Sequence, residues 1–155
     1  MKPKIEAPLH VFRFVLSFKI VAGSGGTEDM CSGAFAECTG LEATMEPKVI
    51  KAGGANYGPA QRPGPVTFAT VVLKRGMTSN RDLFNWFALV NGTSYAYRLS
   101  AEIEMQDNAG HTVVTWGLDR CLPVKFKAAD LNAKGGDVGI EELHVAHEGL
   151  RLLVH

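Results

Sequence analysis

Between Tyr95 and Gly117 the sequence alternates so regularly that few folds can hold it. Tyr97, Leu99, Ala101, Ile103 and Met105 take turns with Arg98, Ser100, Glu102, Glu104 and Gln106. Successive side chains of a strand point to opposite faces, so a period of two makes one greasy face and one wet face. Asp107-Asn-Ala-Gly110 supplies turn residues, and HTVVTWGL resumes as the partner strand. The reading is a long antiparallel β-hairpin whose apolar face needs a cover and whose polar face needs water.

The rest of the chain fits the same class. From Leu9 to Val21, Phe12, Phe14, Leu16, Phe18 and Ile20 fall on one face, while Val11, Arg13, Val15, Ser17 and Lys19 fall on the other. That predicts a half-buried strand, ended by Gly23-Ser-Gly-Gly26. GAFAECTGL and EATMEPKVI also have strand character. In the second, Glu42, Thr44, Glu46 and Lys48 share one parity, and Pro47 marks an edge or a bulge. Ala52 to Pro65 is rich in Gly and Pro without an apolar period, so it reads as a long loop over about 52–65. VTFATVVLKR is a β-branched strand that Gly76 breaks. The period then changes. Leu83, Phe84, Trp86, Phe87 and Val90 predict one amphipathic helix over about 79–91, with Thr78 or Ser79 as cap and Asn91-Gly92 as stop. CLPVKF, a turn around Asn132 to Gly136, and a last strand from Val138 through Val154 with a bulge at Glu148-Gly149 complete about seven strands. The fold class is mainly β: an antiparallel β-barrel or sandwich plugged by one helix.

A length of 155 residues suits a single domain, 1–155, with a core of its own. Sixteen Lys and Arg balance sixteen Asp and Glu, which argues against a dedicated nucleic-acid binder. The three cysteines, Cys31, Cys38 and Cys121, are odd in number and lack metal-ligand spacing, so they read as small buried or partly buried thiols. The first residues carry no secretory segment, and Phe12 to Val21 is too short and too charged to span a bilayer. Synthesis in the cytoplasm and no direct membrane anchor are the expectations.

Chemistry is sparse. His144 and His147 would share a face on a helix but point apart on a strand, so no metal site is expected. Ser24 and Ser32 sit in no GxSxG elbow, and Gly23-Ser-Gly-Gly26 is no phosphate loop. Glu102 and Glu104 share a strand face about 7 Å apart, a spacing compatible with paired-carboxylate catalysis. An alternating wet face is far more often simply solvated. No catalytic residue, cofactor or metal is assigned. The architectural question stays open on periodicity alone: the wet face could line a barrel closed within one chain, or one completed by pairing strands between copies.

The ordered pieces resemble one family. Phe35, Glu37, Thr39, Gly40, Leu41, Glu42, Gly53, Gly54 and Asn56 follow an F-x-E-x-(S/T)-G-L-E … GG-x-N segment. Leu73, Lys74, Arg75, Gly76, Thr78, Leu83 and Trp86 follow L-K-R-G-x-T … L-x-x-W, and Asp107 with Gly110 forms the x-D-x-x-G turn. Trp116, Pro123 and Lys125 fall on a later W … P-x-K element, and Glu141 or Glu142 with His147, Glu148, Gly149 and Leu150 on the closing E-x-L-x-x-x-H-E-G-L. Taken together these resemble the tail tube proteins of contractile phages and phage-tail-like injection systems.

The resemblance implies a structural protein, not an enzyme. It implies hexameric rings stacked into a hollow tube, each subunit lending strands to one shared inner barrel. The helix would pack outside the sheet, with Lys74, Arg75 and Trp86 holding the strand-to-helix junction. Glu42, Thr44, Glu46, Lys48, Arg98, Ser100, Glu102 and Glu104 would line the lumen, two cations against four carboxylates, a mildly acidic wall. Gly53, Gly54, Asn56, Tyr57 and Arg62 would contact neighbouring subunits or the next ring. The implied partners are the chain itself, a sheath protein, baseplate or spike-hub and tube-terminating proteins, and cargo effector proteins or DNA in the bore. The particle would be a phage tail or an injection system, released or retained. Competing readings are a ring-forming component of a type VI secretion system, a monomeric ligand-binding β-barrel and an uncharacterised hydrolase.

Overall fold

The computed structural model describes residues 13–21, 27–51, 53, 58–77, 81–92, 99–131, 133–136 and 139–153. Its regular structure is antiparallel strand apart from one helix. The long elements are β1 (Arg13–Val21), β2 (Thr27–Ala34), β8 (Val71–Gly76), β9 (Leu99–Gln106), β10 (Thr112–Lys127), β11 (Ile140–Ala146) and β12 (Gly149–Leu153). The short ones are β3 (Glu37–Thr39), β4 (Ala43–Met45), β5 (Lys48–Ile50), β6 (Ala60–Arg62) and β7 (Val66–Phe68), and one helix, α1 (Asp82–Gly92), follows β8.

The predicted hairpin is the spine. β9 and β10 pair Ile103 with Trp116 and Ala101 with Leu118. At the turn Asp107 Oδ1 accepts from the backbone N–H of Ala109 and of His111, both at 2.9 Å. Gly110 sits at φ 85°, where a side chain would be strained. Strand β10 runs further than the alternation suggested. It continues through CLPVKF as one 16-residue strand, bent at Arg120, which takes φ 52°. A bent strand can serve two layers. Its first half pairs β9 and β12, its second half pairs β11, and the layers read β2-β1-β9-β10-β12 and β10-β11-β8-β3.

The last stretch corrects a second expectation. What looked like one strand with a bulge is two strands, β11 and β12, which pair opposite halves of β10. His147 and Glu148 are the corner where the chain changes layer.

Between the layers lies one core. Leu16, Leu99, Ala101, Ile103 and Leu118 face Val71, Leu73, Leu143 and Val145, and α1 inserts Leu83 and Trp86, each 1% exposed. That burial is what the i, i+3 pattern of the helix demands. Asp82 anchors its first turn, accepting from the Leu83 N–H at 2.8 Å. The expected caps Thr78 and Ser79 lie outside the described residues. Among the described thiols Cys121 is buried in the core and Cys38 is half-buried on β3, both free; the side chain of Cys31 lies outside what is described.

The Gly- and Pro-rich stretch is not one loop. β4 pairs β7 and β5 pairs β6, so residues 43–50 and 60–68 form a two-tier ribbon that leaves the sandwich. Two glycines make it possible. A Cβ on Gly40, at φ 89°, would lie 2.3 Å from the Thr70 carbonyl, and one on Gly64 would lie 1.9 Å from the Glu46 carbonyl. Both are close backbone approaches that no side chain permits.

Candidate assembly surfaces

The wet face of the first layer is built from β9 outward. Ser100, Glu102 and Glu104 alternate with the buried Leu99, Ala101 and Ile103. In register, Ser17 of β1 lies beside Glu102, and Thr115 and Gly117 of β10 flank Glu104 and Glu102. The Thr112 hydroxyl and a Glu104 carboxylate oxygen are 3.3 Å apart. At the β12 end Asp119 takes both Arg151 N–H groups, at 3.0 and 2.8 Å, so the cation there is already matched. Arg98 lies outside the described residues.

Glu42, Thr44, Glu46 and Lys48 lie elsewhere. They are on the ribbon or at its base, not in the layer that carries Ser100, Glu102 and Glu104, so the structure splits the seven described members of the set between two elements. On the ribbon Lys48 stands in register with Arg62. Like charges directly opposite each other are unfavourable. Met45, Val49, Ile50 and Val66 are exposed on the same ribbon. Gly53 is an exposed turn residue, while Gly54, Asn56 and Tyr57 lie outside the described residues.

The base of the ribbon is tied to the layer corner. The Ala69 N–H donates to the Glu42 carbonyl at 3.1 Å, and the Phe68 ring sits 5.3 Å from that of His147. His147 is buried, and its Nδ1 donates to the Gly149 carbonyl at 3.0 Å. Glu148 joins Arg120 at 2.6 Å, and the Glu148 N–H donates to the Asp119 carbonyl at 2.9 Å. A Cβ on Gly149 would meet Asp119 Oδ2 at 2.6 Å. The His-Glu-Gly run is therefore a packing element. His144 points to the opposite side, 3.3 Å from Glu142, as strand parity requires, and no group of metal-ligating residues is found among those described.

The strand-to-helix junction rests on Arg75. Its Nε donates to Glu141 Oε1 at 2.6 Å, its Nη2 donates to Asp82 Oδ1, and its guanidinium lies 5.6 Å from the Phe35 ring centre. Burial pulls the Arg75 pKa down, but the hydrogen bonds to Asp82 and Glu141 outweigh it and hold the pKa above its ordinary value. Trp86 is buried in the core, and Arg75 thus plays the expected part. Lys74 does not: it faces the other way and bridges Glu37 and Glu142 at 3.6 and 3.7 Å, tying β3, β8 and β11 together. Sequence reasoning missed Glu141 and Asp82 as its replacements. An Arg near the end of a β-branched strand that leads into a helix was the available signal.

A two-layer antiparallel sandwich plugged by one helix, with a wet sheet face and a ribbon standing off the core, is the fold of a structural tail-tube protein. The family described as T4-like virus tail tube protein gp19 matches residues 10–151, and this chain belongs to it. Among solved structures it is similar to a chain of the anti-feeding prophage baseplate, determined by cryo-EM with six-fold symmetry, at 25% identity and a TM-score of 0.79 over 96% of this chain and 97% of that one. It is also similar to a chain of the sheath–tube complex of PVC, an extracellular contractile injection system, in its extended state. There the identity is 19% and the TM-score 0.76, over 97% and 95% of the two chains. A more distant likeness is to Hcp1 of Flavobacterium johnsoniae, 11% identical with a TM-score of 0.56 over 89% and 94%. Among curated protein sequences nothing matches. The family is one of structural tube proteins rather than enzymes. No helix among the described residues is long and apolar enough to cross a membrane, which says nothing about strands.

Proposed function

We propose that this chain is the inner-tube subunit of a contractile injection system, six copies to a ring and rings stacked into a hollow conduit inside a sheath. The observation that carries this is the agreement of sequence and fold: a tail-tube family match over residues 10–151 in a chain that follows a baseplate-complex chain over 96% of its length. The wet layer gives the reading a physical basis. Six five-stranded layers edge to edge make a wall of about 30 strands, well past the roughly 16–18 at which closed barrels hold an aqueous channel. A half-exposed row of Ser100, Glu102 and Glu104 suits such a bore. Glu42, Thr44, Glu46 and Lys48 would reach it only by way of the ribbon.

The ribbon serves as the contact between copies. Its exposed apolar residues and the facing Lys48 and Arg62 call for an apolar surface with carboxylates beside it, and Gly53, Gly54, Asn56 and Tyr57 would extend that contact. Sheath, baseplate or spike-hub and terminating cap proteins are the further partners. A bore of mildly acidic character repels nucleic-acid backbone and lets protein effectors or DNA slide without adsorbing. Assembly takes place in the cytoplasm. The type VI reading rests on the Hcp1 likeness, which is one of fold alone. Negative-stain microscopy of the purified chain tests the proposal: rings or tubes are expected, and a species that stays near the monomer mass of 16.7 kDa on gel filtration at all concentrations refutes it.

A further inference from the structure

The ribbon changes register at its middle. β4 and β7 set Met45 opposite Val66, while β5 and β6 set Lys48 opposite Arg62. Between these pairs two residues, Glu46 and Pro47, face three, Pro63, Gly64 and Pro65. That is the arrangement of a β-bulge, which bends a strand and leaves part of the ladder unpaired. Three prolines deepen the break, because none of them has an N–H to donate. In the Pro63-Gly64-Pro65 run the Gly64 amide is the one backbone donor left. It donates to the Met45 thioether sulfur at 3.3 Å. From the facing strand the Glu46 N–H reaches the Pro65 carbonyl at 3.4 Å, longer than an ordinary N–H···O bond.

A thioether is a weak acceptor, and its sulfur is a site of oxidation. Met45 is 44% exposed, so a small oxidant reaches it in the unassembled subunit. Gly64 is pressed against the Glu46 carbonyl, so its amide cannot shift without moving the opposite strand.

We propose that Met45 is an oxidation site, and that a peroxide, by converting its thioether to the sulfoxide, resets the bend between the two tiers of the ribbon. In that step a sulfur lone pair attacks one peroxide oxygen and forms the S–O bond. The O–O bond breaks, and the departing hydroxide takes the proton of the transferred oxygen. The products are sulfoxide and water; sulfur loses two electrons and the peroxide gains them. The new oxygen is a much stronger acceptor than the thioether and takes over the Gly64 N–H. The sulfur then stands off by the length of the added bond. Each tier has only its own two strands to resist that shift. Oxidation also sets a polar group beside Val66, in the exposed apolar set that includes Val49 and Ile50. The consequence for assembly rests on the tube reading above: an oxidised subunit is a poor partner for another copy.

Met77, 51% exposed and outside the ribbon, supplies the internal reference. Unassembled subunits are treated briefly with hydrogen peroxide. Oxidation is mapped by peptide mass spectrometry, and the Gly64 amide is followed by proton–nitrogen correlation NMR. Both methionines should gain one oxygen, and the Gly64 resonance should move in step with oxidation at position 45. Tube yield should fall several-fold. Met45→Leu keeps the volume and leaves the exposed Gly64 N–H to water, so its tubes should form and resist peroxide. Met77→Leu should lose tubes as the parent does. A Gly64 resonance that stays in place once Met45 is oxidised would overturn the reset of the bend. Equal loss of tubes from Met45→Leu and the parent would overturn the role of Met45 in assembly. If the untreated parent forms no tubes, the tube reading fails, while the Gly64 resonance still decides whether oxidation resets the bend. Should Met45→Leu fail to fold or to assemble, methionine sulfoxide reductases acting on the oxidised parent replace it. Tube yield must then return as the Met45 oxygen is removed, and reduced subunits that stay unassembled would overturn the proposal.

Discussion

The sandwich and the ribbon are made of similar residues and end in opposite states. Val71, Leu73, Leu143 and Val145 are at most 1% exposed, whereas Met45, Val49, Ile50 and Val66 range from 37% to 55%. Composition does not separate them. The difference is a second layer: the sandwich strands have a facing sheet or helix, while each tier of the ribbon has only its own two strands. An isolated two-stranded ribbon is marginal in water. The sandwich therefore carries its own stability, and on the assembly proposed above the ribbon would draw its stability from a neighbouring copy. The following experiments bear on that division, in order of their expected effect on the subunit's own stability.

The largest effect belongs to the buried ion cluster. Arg75→Ala leaves Glu141 and Asp82 facing each other, each at least 87% buried at the side chain, without their cation. Removing one partner of a buried ion pair costs about 3–5 kcal/mol, read as a shift of the urea unfolding midpoint at unchanged slope. A loss under ~1 kcal/mol would mean that the junction does not hold the helix and that the sandwich is less self-sufficient than its burial suggests.

A second probe is alkaline pH. Burial pushes the Cys121 thiol up to about 12 and the half-buried Cys38 thiol to about 11. Unfolded thiols ionise near 8.5. Between that value and the folded ones the native state holds protons that the unfolded state has lost. The stability is thus fully present below about pH 8.5 and falls as pH rises through the folded values. Thermal unfolding should weaken by on the order of 2 kcal/mol for each of the two thiols between pH 8 and pH 10.5, with a shallower slope in Cys121→Ala. A flat profile would show that water reaches the core around Cys121.

How much of this was readable in advance follows the same division. Strand β9, the Asp107–Gly110 turn and the inward face of α1 were legible because each is fixed by local periodicity or by a turn residue with one preferred geometry. The bend at Arg120 and the corner at Glu148 were not. Each is set by which half of β10 a distant strand pairs with, and a change of layer leaves no mark on alternation. The ribbon was missed for a related reason. Its strands are three residues long, too short for any period, and glycines that permit close approach, such as Gly64, look like loop glycines in sequence. The residues proposed for the lumen mark the outer limit. Ser100, Glu102 and Glu104 share a face in the subunit as alternation required, but a bore is a property of several copies.

The ribbon itself gives the converse test. Val49→Ser combined with Val66→Ser should leave subunit unfolding within about 0.5 kcal/mol of the parent, as expected for surface positions. Tube formation, scored by negative stain and sedimentation, should nevertheless be lost or strongly reduced. If the doubly substituted chain assembled normally, the ribbon would not be the contact between copies. If it unfolded several kcal/mol more easily, the ribbon would belong energetically to the sandwich and the division would fail.

The smallest effect should come from Arg120, where two opposing contributions nearly cancel. A non-glycine residue in the left-handed region costs roughly 1–2 kcal/mol, so Arg120→Gly relieves the φ of 52°. Glycine also gains freedom in the unfolded chain, worth roughly 0.5–1 kcal/mol in the other direction. The pair with Glu148 is lost as well, but at 63% and 54% side-chain exposure it is worth little. The net change should lie within about 0.5 kcal/mol, measured by thermal unfolding. Arg120→Val, β-branched and unable to relax there, should be destabilising by ~1–2 kcal/mol. Seeing the two substitutions diverge in this way would place the bend of β10 in the backbone of the sandwich rather than in its surface ion pairs, because the bend would survive loss of the pair and not loss of the conformation.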